Sequence, residues 1–82
     1  MIYEPKQQDI DHAFEGTNFG PQGETPDGRK DIVADCVLKR ACGFASGGTI
    51  EHICRELSLL TKARNPTKRA KQWAYCHLHV AR

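Results

Sequence analysis

The residues best placed to do chemistry are five cations, Lys62, Arg64, Lys68, Arg69 and Lys71, followed at once by Trp73 and Tyr75. Basic side chains gathered like this attract phosphates whatever the base sequence, and an aromatic ring beside them stacks on an unpaired base. The implied chemistry is non-covalent. It is nucleic-acid binding, to DNA or RNA, by Lys62, Arg64, Lys68, Arg69, Lys71 and Tyr75, with Trp73, the single tryptophan, expected in the core. The same charges also suit a solvated face or a contact with an acidic protein.

Other reactive residue types point less clearly to a site. Cys36, Cys42, His52, Cys54, Cys76, His77 and His79 are potential metal ligands. Structural zinc sites, however, pair their ligands as C-x2-C, whereas Cys36 and Cys42 are six apart and the histidines lie mainly on other segments. A zinc-binding module is therefore the least favoured alternative, and neither metal nor cofactor is expected. A cysteine nucleophile needs a stabilised thiolate, and apolar neighbours are expected to raise thiol pKa values. No catalytic residue is assigned, and the chain is expected not to be an enzyme.

Three helices must position these residues. A first, from about Lys30 to Cys42, follows from Val33, Cys36, Val37, Ala41 and Phe44 at helical spacing, with Asp35 and Lys39 paired outside. Gly43 suits the left-handed residue that ends it, and Phe44 is placed to fold back on its last turn. A second runs from Thr49 as N-cap to about Leu60, with Ile50, Ile53, Cys54, Leu57 and Leu60 as its core stripe and Glu51 paired with Arg55. After a basic turn, in which Asn65 or Thr67 caps, a third helix carries Ala70, Trp73, Ala74 and His77 on one face. Residues 75–80 alternate polar and apolar, so helix to about His77 competes there with an extended end.

The order Thr49-Ile50, then Arg55-Glu56-Leu57-Ser58-Leu59-Leu60-Thr61, a short basic turn, and Thr67-Lys68-Arg69-Ala70 resembles the end of a winged-helix domain. It also looks like the tail module of small phage or plasmid accessory proteins. Two positions depart from that pattern: Ala70 stands where such modules often carry glycine, and Lys62 to Pro66 is short for a full hairpin wing. The resemblance implies a groove-reading second helix, whose outward residues would be Glu51, His52, Arg55 and Glu56, a mixed set that phosphates partly repel. Backbone contact is expected over base readout.

Residues 1–28 hold four of the seven glycines and three of the four prolines, a loop composition, and their apolar residues are sparse. An irregular or disordered acidic arm is expected there, ahead of a helical domain over residues 29–82. Its aromatics, Tyr3, Phe14 and Phe19, either dock on the folded part or anchor a partner. Charge rises along the chain: six acids against one base in residues 1–28, four against five in 29–56, none against six in 57–82, giving −5, +1 and +6 and the net +2. Such asymmetry favours an acidic and a basic contact surface at opposite ends.

With 82 residues there is room for one small core. No apolar run approaches a membrane span, the start MIYEPKQQDIDH lacks a secretory pattern, and the four cysteines are expected reduced in the cytoplasm. The expectation is a small mostly α protein, winged-helix-like, that engages nucleic acid as a mobile-element accessory or regulatory protein. The alternative is an inhibitor or adaptor of a host nucleic-acid-handling enzyme, docking through Tyr3, Phe14 and Phe19.

Overall fold

The computed structural model describes residues 4–80 and is mostly helical, with no strand element among the described residues. Four α-helices form: α1 (Gln7–Ala13), α2 (Pro26–Ala41), α3 (Gly48–Glu56) and α4 (Lys68–Tyr75). A 3-10 turn (Pro21–Glu24) precedes α2, and a π-helical turn (Cys76–Val80) continues α4. The longest helix, α2, is central and packs against the other three helices and both turns. Three helices were expected; the additional one lies in the segment expected to be irregular.

That segment is the main correction. Within it α1 places Ile10 and Phe14 four residues apart, and both are buried, at 0% and 5% exposure. An isolated helix this short is unstable in water. Burying these two side chains contributes about 1.5–3 kcal/mol each against the cost of ordering the segment. Phe19 packs on Phe14 with ring centroids 5.2 Å apart, so two aromatics proposed as partner anchors are joined to the core. The arm's acids also find local partners in α2. Arg29 bonds Asp11 at 2.8 Å and Lys30 bonds Glu4 at 3.2 Å.

Helix α2 begins earlier than its apolar spacing implies. Thr25 is the N-cap, its hydroxyl accepting from the Gly28 N–H at 3.0 Å, with Pro26 in the first turn and Asp27 favourable to the helix dipole. Gly28 itself is dictated by close approach, since a Cβ there would stand 1.9 Å from the Gln22 carbonyl oxygen. Arg29 Nε adds a bond to the Gly23 carbonyl at 2.7 Å, clamping the 3-10 turn onto α2. At the other end the Phe44 N–H bonds the Lys39 carbonyl and the Gly43 N–H that of Arg40, with Gly43 at φ +85°. This is the expected left-handed stop. Phe44, however, is 68% exposed and does not fold back on the helix.

Helix α3 starts with Gly47 as cap, so Thr49 lies inside it, and it ends at Glu56 rather than Leu60. Ser58 takes the left-handed conformation, φ 62°, while the Leu59 N–H bonds the Cys54 carbonyl at 2.9 Å and the Ser58 N–H that of Arg55 at 3.0 Å. The same stop is thus made without glycine, and it turns Leu59 and Leu60 into the core. The chain then makes a tight loop: Leu60 and Pro66 form an antiparallel bridge, and the Thr61 N–H bonds the Asn65 carbonyl at 2.9 Å. Thr67 caps α4 through the Ala70 N–H at 3.1 Å. The end of the chain stays helical through Val80, where His77 Nε2 meets Asp31 Oδ1 at 2.7 Å and fastens the π turn to α2.

Candidate nucleic-acid interface

Burial on one side fixes which residues of α4 face outward. Ala70, Trp73 and Ala74 are buried, and Trp73 stacks on the half-buried His77 with centroids 5.6 Å apart. At about 100° per residue the opposite face then carries Lys68, Lys71, Gln72 and Tyr75, all exposed. Tyr75 is 57% exposed and its ring lies 4.8 Å from that of His79, which extends the face by one further turn. Two lysines and an aromatic pair thus share one stripe. No acidic residue occurs from Leu57 onward to repel a phosphate from it.

The other proposed contacts are distributed differently. Lys62 is exposed on the tight loop and lines a shallow cleft with His52, Arg55, Glu56 and Leu60. Arg69 is exposed but stands about a quarter turn off the stripe. Arg64 is turned to another task. At φ 65° its backbone lets the carbonyl accept from Arg40 Nε at 2.9 Å, while its guanidinium lies 3.5 Å from Glu51. Tyr3 lies outside the described residues. Phe14 is a core residue, and Phe19 is half-buried against it.

Glu51 is the functional group that sequence reasoning misplaced. Expected on the outer face beside Arg55, it is only 3% exposed. Its carboxylate accepts the Ser46 N–H at 2.8 Å and lies 3.5 Å from Arg64 and 4.0 Å from Arg40. A buried carboxylate needs such partners, because desolvation without them is costly. Of the four residues expected to face a DNA groove, His52, Arg55 and Glu56 are exposed, and His52 pairs with Glu56 at 2.9 Å.

The cysteines also depart from expectation in part. Cys36 and Cys54 are buried, Cys42 is exposed and Cys76 is half-buried. The Cys54 sulfur lies 4.0 Å from the Val33 carbonyl oxygen. Donation from Cys54 lowers the Cys36 pKa to about 7 against the opposing effect of burial, so apolar neighbours do not raise it as expected. The bond to Cys36, and burial after it, push Cys54 up. Ser46 makes no well-formed hydroxyl hydrogen bond among the described residues, yet its hydroxyl stands close enough to favour the Cys36 thiolate. Among the described residues no three His, Cys, Asp or Glu side chains are grouped to hold a metal ion, and no helix is long and apolar enough to cross a membrane. Compared with protein families, curated proteins and solved structures, the chain matches none.

Proposed function

We propose that this chain is a small non-enzymatic binding protein that engages single-stranded nucleic acid along the exposed face of α4, serving a mobile element as a cytoplasmic accessory or regulatory protein. The observation that carries the proposal is the alignment of Lys68 and Lys71 with Tyr75, 57% exposed and ring to ring with His79. Lysines hold phosphates, and solvent-facing rings offer stacking surfaces that a duplex, with its bases already stacked, does not use. The inhibitor or adaptor alternative has one of its aromatic anchors, Phe14, buried in the core and a second, Phe19, half-buried against it.

Fluorescence anisotropy with labelled single-stranded and duplex oligonucleotides, in DNA and RNA forms, tests the proposal. If Lys62, Lys68 and Lys71 each meet a phosphate, log affinity falls with log salt at a slope of about −2, near 0.7 per contact for single strands. Changing Lys68 and Lys71 to alanine lowers that slope. Tyr75→Ala leaves the slope in place and costs about 1–3 kcal/mol of affinity. A flat salt response, or equal binding by the double lysine variant, refutes the interface.

A further inference from the structure

We propose that the cleft between α3 and the basic loop of residues 61–66 grips a further phosphate of the single strand held by α4, with Arg55 and Lys62 as its two cations. The inference rests on the α4 reading and extends that interface onto a second helix. The cleft has a volume of about 280 Å³ and is lined by His52, Arg55, Glu56, Leu60 and Lys62.

Burial of Glu51 is what leaves this cleft cationic. Spacing pairs Arg55 with Glu51 four residues earlier, but that carboxylate is 3% exposed and turned to Ser46, Arg40 and Arg64. Arg55 and Lys62 are both exposed, and neither makes a hydrogen bond or an ion pair among the described residues. By contrast Arg29, Lys30, Lys39, Arg40 and Arg64 each lie within 4.0 Å of a carboxylate. The acid among the cleft residues, Glu56, is met by His52 Nε2 at 2.9 Å. Arg55 and Lys62 against Glu56 leave a net charge of +1 with His52 neutral. Leu60, 4% exposed, adds an apolar wall, beside which a charged contact is screened less than on open surface.

The fold joins the cleft to the α4 face. The Thr67 N–H bonds the Leu59 carbonyl at 3.1 Å, and Leu60 bridges Pro66, so the start of α4 lies against the chain that enters the cleft. Lys68 follows Thr67 by one residue as Leu60 follows Leu59, which sets Lys68 beside the cleft's own backbone. A flexible single strand bends between successive phosphates and can follow such a surface. The planar guanidinium of Arg55 suits a phosphodiester because its fork meets two oxygens at once. The contact is to the backbone of the strand and reads no base.

The test is the salt dependence of binding to a labelled single-stranded oligonucleotide, followed by fluorescence anisotropy with the full chain and its variants. With four contacts the slope of log affinity against log salt reaches about −2.8, at about 0.7 per contact, and Arg55→Ala returns it to about −2. Arg55→Lys keeps the steeper slope, because the slope counts charge, whereas a packing role would not be rescued. Glu56→Gln raises affinity by up to about five-fold, the range of one exposed charge pair. Melting temperatures of these variants stay near that of wild type, since both side chains are exposed. An unchanged slope in Arg55→Ala, where Lys68→Ala/Lys71→Ala lowers it, overturns the cleft and leaves the α4 face standing. Weaker binding by Glu56→Gln also overturns the cleft, and a slope that no variant changes removes both sites.

Discussion

Truncating Phe14 to alanine tests whether residues 4–20 belong to the core. Phe14 is 5% exposed, packs with Phe19 at 5.2 Å and lies four residues from Ile10, which is fully buried. Phe→Ala at a well-packed site costs about 3–5 kcal/mol, since the lost transfer energy adds to the cavity left behind. The lower end applies here, because a short docked segment collapses into a cavity more easily than a central helix does. About 3 kcal/mol is a large share of the roughly 5–10 kcal/mol available to a chain of this size. At 4–8 °C per kcal/mol it lowers the melting temperature by about 12–24 °C. Urea unfolding followed by fluorescence of Trp73, the single tryptophan and 4% exposed, measures the loss with one buried reporter. With an m-value of about 1 kcal/mol/M, the midpoint falls by about 3 M. Phe44→Ala, at a ring 68% exposed, is the matched control and stays within about 0.5 kcal/mol. If Phe14→Ala moved the midpoint no more than the control, α1 would contribute nothing to the folded state and the docking argument would fail.

Ser58→Gly should stabilise the chain by about 0.5–1 kcal/mol, since Ser58 holds φ 62° and relief of left-handed strain exceeds the added unfolded-state entropy; a lower urea midpoint would show that the serine is not strained. Asp11→Asn should flatten the acid limb of stability. The Arg29 hydrogen bond, and next that from Gln7, hold the Asp11 carboxyl below its usual pKa. Its contribution is therefore complete above the ordinary aspartate range and disappears as pH falls through the lowered value. Melting temperatures of both forms from neutral pH to about pH 2 should converge at the acid end, and a gap that stays constant throughout would remove the linkage.

Legibility in the sequence followed the range of the forces involved. Thr67 capping α4, the left-handed stop at Gly43, the Ile50-Ile53-Cys54 stripe and the burial of Trp73 each depend on neighbours within about one or two helical turns. The exposure of Lys62, Lys68, Lys71 and Tyr75 was legible for the same reason, as these residues fall away from their elements' apolar positions. The early start of α2 was also written locally, in Thr25-Pro26-Asp27, but the surrounding glycines and prolines gave the stronger signal of a loop.

Four features required the tertiary structure. The α1 helix carries too few apolar residues to show a period, and it is stable only because α2 offers a surface to Ile10 and Phe14. Glu51 is drawn inward by Arg40, eleven residues before it, and Arg64, thirteen after, so the local pairing with Arg55 suggested by spacing gives way to the charge balance of a buried carboxylate. Arg64 leaves the basic cluster to meet it. Cys36 and Cys54 enter one core only where α2 packs against α3. The sequence by itself determined the helical class, the core stripe of α3 and the polarity of charge, because period and composition are properties of short segments. Only the tertiary structure decided which acid is buried, which cations turn to meet it and which thiols lie in the core, because burial and charge pairing are settled between segments far apart in the chain.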